Sequence, residues 1–411
     1  MMFYLLATLV VASTGVETLT LGEASDSPVM VGDGQNIAVL WRNDGYPAGG
    51  KWERWISYRI SRDGGQTFSS EQRIKDTDGI TSATADHGVA HLCLHHEIGS
   101  QWTNAYSRVD LATGAASAPV RLTGNAGTLP TSCSVASAGP LVAVAWEEPA
   151  DAQHQRLFLA QSTDGGRTLG ASRAIGLLNN VAGFPRVAVG PPNVFVVWAD
   201  DLTNGVLLVK AKGSSVSPAT RVLEKRIATV SAYGDRVLVS GGEHVRMSRD
   251  EGRSFSEPTS LIDPSLHIPP LFPEPRIAWS GKGVYVVAEV SGGRGIYFWH
   301  SADGGTTFSR AFEIVALYSR DVFAPRVFSS AAGVIVTWAF NPQAGQSMVF
   351  RVSHDDGETF GAPVSLPYKD VQSGAYAPAA SYADNRAVFF AWREPVGKYK
   401  GVIKFVRVGL R

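Results

Sequence analysis

The sequence predicts an all-β chain built as a ring of repeated four-strand units, and three observations carry that prediction. The first is composition: 43 Gly and 22 Pro in 411 residues, beside 10 Trp, 12 Tyr and 18 Phe, describe many turns and many aromatic strand positions. The second is that no apolar pattern of helical period is sustained. The third is an internal repeat. Hydrophobic residues make up 44%, enough to bury a large core. The 37 Lys+Arg balance 37 Asp+Glu, which removes the electrostatic case for nucleic acid or an anionic membrane as partner.

The repeat occurs as SRDGGQTF from Ser61, STDGGRTL from Ser162, SRDEGRSF from Ser248, SADGGTTF from Ser301 and SHDDGETF from Ser353. In S-x-D-x-G-x-[TS]-[FL], Asp folds its carboxylate onto nearby backbone N–H groups and Gly supplies a positive φ. The hydroxyl adds a local hydrogen bond, and the last residue restarts an inward-facing strand. The first two gaps each hold a skipped unit, with degenerate turns at VDLATGAAS (109–117) and KAKGSSVSP (210–218). Each turn is preceded by a short run opened by Pro, a loop, and an apolar strand ending in Trp. Examples are PVMVGDGQNIAVLW (28–41), PRVAVGPPNVFVVW (185–198) and PRVFSSAAGVIVTW (325–338). Looser copies end at Trp146, Glu289 and Trp392, with His95 and Gly241 in the slots of two others.

Eight units of roughly 45–55 residues, four short strands each, read as the blades of one β-propeller, with a seven-bladed ring as the alternative. The last unit ends after VIKFVRV one strand short, and VETLTL near the N-terminus is placed to close the ring. Residues 1–13, beginning MMFYLLATLVVA, read as a signal peptide whose alternative is a buried first strand, leaving 14–411 as the propeller. No later run reaches the roughly 18 apolar residues of a membrane helix, so the expected location is secreted or periplasmic.

The five turns resemble the Asp boxes, or bacterial neuraminidase repeats, of the sialidase superfamily, and the resemblance spans the chain from residue 14 onward. It implies that each box joins the two outer strands of a blade on the face away from the ligand. Asp63, Asp164, Asp250, Asp303 and Asp355 are then structural. Family sialidases typically have six blades and an Arg-Ile-Pro motif. This chain reads as eight blades and carries the reversed echoes FPRV (184–187), EPRI (274–277) and APRV (324–327).

Strand alternation puts the starts of first strands and the ends of second strands on the face opposite the turns. One set there is Arg186, Arg276 and Arg326, whose planar forks could clamp a carboxylate, as the family's arginine trio does, or brace the ring by pairing with acidic neighbours. The other set is Arg42, Asp44, Glu97, Glu147, Glu148, Asp200, Asp201, Glu243, Glu289, Arg393 and Glu394. Glu289 stands where other blades place Trp and is the acidic residue of most interest, with a salt bridge to Arg276 or Arg294 as its structural alternative. A retaining sialidase also needs a nucleophilic Tyr and an Asp acid/base. Tyr376 in SGAYAP and Asp321 in SRDVFAP lie just before innermost strands on that face.

In blade 2, His91 and His95 would share one strand face among His87, His91, His95 and His96, but no carboxylate completes a metal motif, and no metal or other cofactor is expected. Cys93 and Cys133, in neighbouring blades, could form a disulfide or remain buried thiols; their strands are not expected to be ladder partners. The expected function is non-catalytic recognition of a glycan or protein. The alternative is a retaining exo-α-sialidase-like glycoside hydrolase acting on acidic sugars, with a polysaccharide lyase third.

Overall fold

The computed structural model describes residues 17–46, 50–98, 101–122, 132–151, 153–179, 184–200, 205–224, 228–262, 275–281, 283–289, 295–315, 322–340, 346–368, 380–396 and 400–410. It is a ring of eight antiparallel blades, an eight-bladed β-propeller with no helix among the described residues. In blade 1 the strands Pro28–Asp33, Asn36–Gly45, Glu53–Ser61 and Gln72–Lys75 pair in chain order. First strands of successive blades pack side by side around the axis. Those of blades 2 to 7 are Thr77–Asp86, Cys133–Ala138, Arg186–Gly190, Thr229–Tyr233, Arg276–Ser280 and Val322–Ser330.

Blade 8 is made by both ends of the chain. Ala380–Ala383, Ala387–Pro395 and Gly401–Gly409 supply its three inner strands, and Thr18–Ala24 its outer one. Thr18 stands opposite Val406 and Ala24 opposite Gly401. The count of eight and the closing N-terminal strand agree with the repeat, which excludes the seven-bladed alternative.

The second strands are largely apolar because both of their faces are buried. Ile37, Val39 and Trp41 pack with Phe389 and Phe405 of blade 8, while Ala38 and Leu40 pack with Leu92 and Leu94 of blade 2. Alternating side chains therefore enter alternate seams. Each of the eight seams holds one such apolar cluster. In the seam between blades 2 and 3, Cys93 and Cys133 are bonded to each other, both buried, with Cα atoms 6.1 Å apart. The link crosses between blades, so it needs no shared ladder.

The five S-x-D-x-G turns join third to fourth strands and lie on one face. In blade 6, Ser301 Oγ donates to Asp303 Oδ1 at 2.8 Å and accepts the Gly305 N–H at 2.7 Å. Asp303 also accepts the N–H groups of Thr306 (2.8 Å) and Thr307 (3.0 Å) and the Thr307 hydroxyl (2.8 Å). Asp63, Asp164, Asp250 and Asp355 sit in the same arrangement. All five carboxyls are held below the usual carboxylate range. The Thr359 hydroxyl and N–H lead in bringing Asp355 to about 2. At Asp63, partial burial acts upward but the donors of Thr67, Ser61 and Gln66 outweigh it, again giving about 2.

The glycine after each turn also touches the preceding blade. A Cβ on Gly166 would lie 1.9 Å from the Tyr106 hydroxyl, and one on Gly305 would lie 2.1 Å from Met247 Cε. Their φ angles, +73° and +87°, independently favour glycine. The degenerate turn of blade 2 keeps part of the pattern, with Asp110 accepting the Thr113 N–H at 2.8 Å and its hydroxyl at 2.9 Å.

Candidate ligand face at the channel mouth

With the turns on one face, first strands begin and second strands end on the other, the mouth face. Ladder register places Arg186 opposite Val197, Arg276 opposite Val287 and Arg326 opposite Thr337, one level in blades 4, 6 and 7. Val29, Ser134, Thr229 and Ala380 hold that level in blades 1, 3, 5 and 8. The trio therefore divides into an adjacent pair and one member a further blade away.

Arg276 and Arg326 are exposed, and Arg186 is half-buried with its Nη1 donating to the Pro185 carbonyl at 3.4 Å. Arg326 keeps contact with solvent although protein closely surrounds it. That enclosure, and then the neighbouring Arg276 charge, pull its guanidinium down to about 10, leaving it cationic at neutral pH. The backbone leading into two of these arginines is unusual as well. Phe184 and Ala324, each directly before Pro-Arg, hold positive φ angles of 41° and 53°.

Glu289 ends the second strand of blade 6, but not in the Trp slot. Trp198 and Trp338 follow the residues opposite Arg186 and Arg326, and the residue following Val287 is Ala288. Glu289 is one position further on. Because successive strand residues point to opposite sides, it turns away from the side on which the tryptophans pack. It is half-buried and accepts the Ala324 N–H of blade 7. Burial pushes its carboxyl up to about 7 against that hydrogen bond.

Several other predicted mouth residues serve the scaffold. Glu147 is buried and accepts the Ser132 hydroxyl at 2.7 Å, and Glu148 is buried and accepts the Trp146 indole N–H at 2.8 Å. Asp200 is buried, while Glu97, Glu243 and Glu394 are half-buried. Arg393 Nε donates to the Ala24 carbonyl at 3.3 Å. Asp201, Arg294, Asp321 and Tyr376 lie outside the described residues. The blade 2 histidines are dispersed: His91 bonds the Tyr106 hydroxyl at 2.7 Å, His87 meets Asp86 at 2.8 Å, and His96 meets the Asp76 carbonyl at 2.7 Å.

The structure adds residues that the sequence reading missed. Asp78 of blade 2 pairs with Arg42 and, at 3.5 Å, with Arg54 of blade 1. Arg54 lies over the Trp102 ring at 5.1 Å. Tyr46 and Trp52, both exposed, flank the connection between the second and third strands of blade 1, Tyr46 after the one and Trp52 before the other. Their sequence cue is an aromatic pair flanking the Gly-rich stretch in YPAGGKW.

Comparison with protein-family models and with curated protein sequences finds no match. Solved structures resemble the chain in fold. The WD40 domain of SCAP from fission yeast matches at 8% identity and a TM-score of 0.50, over 95% of this chain and 94% of that one. A protein from Dyadobacter fermentans matches at 11% identity and a TM-score of 0.45, over 96% and 99% of the two chains. A sialidase mutant from Trypanosoma rangeli displaying trans-sialidase activity matches at 10% identity and 0.42, over 82% and 58%. Likeness at these identities concerns the propeller and not its ligand.

Proposed function

We propose that the protein is an exported recognition propeller that binds an acidic glycan through its carboxylate at the channel mouth. The supporting observation is the pair Arg276 and Arg326, held at one level on neighbouring blades, exposed to solvent and close enough for one charge to act on the other. Two such cations repel. A carboxylate between them relieves the repulsion and accepts planar pairs of N–H bonds from both forks. The apolar first 13 residues and the buried disulfide fit an oxidising compartment outside the cytoplasm.

Arg276→Ala and Arg326→Ala are expected to weaken binding of an acidic glycan by about 1.5–3 kcal/mol each, the range for hydrogen bonds to charged groups. Lys should rescue poorly because it lacks the fork. Calorimetry with sialylated and uronate oligosaccharides, beside melting of the same variants, reads both quantities. Undiminished binding by both Ala variants would sink the carboxylate clamp. Binding only to an acidic protein surface would shift the partner class.

A second reading, a glycoside hydrolase, is favoured by one observation. A carboxyl raised to about 7, as at Glu289, has the protonation a general acid needs near neutral pH. Turnover of a fluorogenic sialoside that disappears in Glu289→Gln would favour that reading over simple recognition.

A further inference from the structure

Of the ten Trp, Trp52 is the one exposed residue, at 51%, whereas the others are buried or half-buried. Tyr46, at 66% exposure, meets it edge to face with ring centroids 5.1 Å apart. Tyr46 follows the second strand of blade 1 and Trp52 precedes the third, so both stand on the mouth face. Large aromatic surface left in water is unfavourable in the free protein, which makes a paired display of it informative. Charged residues stand two positions from each ring along the chain: Asp44, which lies 3.9 Å from Arg42, precedes Tyr46, and Arg54, which with Arg42 converges on Asp78, follows Trp52.

We propose that Tyr46 and Trp52 form a stacking shelf for one pyranose ring of an oligosaccharide, a second subsite on the face that carries Arg276 and Arg326. The proposal rests on the reading of that face as a glycan-binding surface and names a further contact on it. A pyranose has an apolar C–H face, which an aromatic ring covers, and a rim of hydroxyls, which charged side chains can bond. The size of the shelf argues against a protein as occupant. Two rings offer at most a few hundred Å², about 150–250 Å² for each fully buried aromatic side chain, against about 800 Å² per partner in a stable protein interface.

The test is a glycan array of sialylated, uronate-containing and neutral oligosaccharides, probed with the full chain and with Trp52→Ala, Tyr46→Ala, Trp52→Phe and Arg276→Ala. Melting temperatures serve as the folding control. Glycans retained by the parent protein are expected to bind Trp52→Ala and Tyr46→Ala about tenfold more weakly, with part of the loss recovered in Trp52→Phe. If the two Ala variants bind as the parent does while Arg276→Ala fails, the shelf is wrong and the carboxylate reading survives. If they lose binding while Arg276→Ala keeps it, the shelf stands and the carboxylate reading falls. If the parent retains no glycan, both fall.

Discussion

On the turn face, each repeat carboxylate sits among donors from its own loop. Asp303 takes two N–H groups and two hydroxyls from residues within four positions of it. On the mouth face, like charges are held near each other, Arg276 beside Arg326, and Glu289 is a carboxyl whose burial favours the neutral form. The first arrangement completes its own hydrogen bonding and contributes to stability. The second holds like charges close together, and the carboxylate proposal rests on that arrangement. The repeat carboxylates of the turn face and Glu289 of the mouth face are thus shifted in opposite directions, the first by local donors and the second by burial.

The largest effect that sharpens this contrast lies in the turns. Gly166→Ala forces a Cβ onto the Tyr106 hydroxyl at a left-handed backbone position, at an expected cost of roughly 2–5 kcal/mol. Gly34→Ala shares the positive φ but meets nothing within 4 Å, and it should cost only about 1–2 kcal/mol. Equal losses in denaturant melts would mean that contact with the preceding blade is not what requires glycine.

On the mouth face, Glu289→Gln is expected to change how stability depends on pH. The carboxyl is raised from its ordinary 4.5 to about 7, so its contribution is complete below pH 4.5 and is lost as pH rises through 7. Gln keeps the neutral form. The variant should match the parent near pH 4 and exceed it by about 2 kcal/mol near pH 8, as urea melts at the two values would show. A parent-like profile in the variant would assign that pH dependence to other groups.

The smallest effect concerns the turn carboxylates. Asp303→Ala should cost about 1–2 kcal/mol through the loss of a local acceptor, while leaving any mouth-face ligand unaffected. The pH sign here is opposite to that of Glu289. Asp63 and Asp355, lowered from an ordinary 3.8 to about 2, contribute stability above pH 3.8 that is lost as pH falls through 2. An Asp303→Ala protein that melts normally but binds less would reverse the assignment of the two faces.

Much of the scaffold was legible because its rules are local. An Asp, a Gly and a hydroxyl within eight residues satisfy one another wherever they recur, and that is why even the degenerate Asp110 turn fell in its expected place. The alternation of strand direction then decided which loops share a face. The mouth was less legible because its contacts join residues of different blades. Asp78 was missed because both of its arginine partners belong to blade 1. Glu289 was placed in the tryptophan slot by counting along the chain, and only the pairing of Arg276 with Val287 moved that slot to Ala288.

The sequence by itself determined the repeat, favoured eight blades over seven and pointed to the strand that closes the ring. The repeat follows from hydrogen bonds and side-chain alternation within one unit, and the closing strand from the one strand that the last unit lacks. Tertiary structure alone decided that Cys93 reaches Cys133, that Arg276 and Arg326 stand together apart from Arg186, and that Trp52 remains in solvent when every other tryptophan is at least half-buried. The physical reason is that burial and charge coupling depend on which blade stands next and at what register, distances that no single repeat encodes.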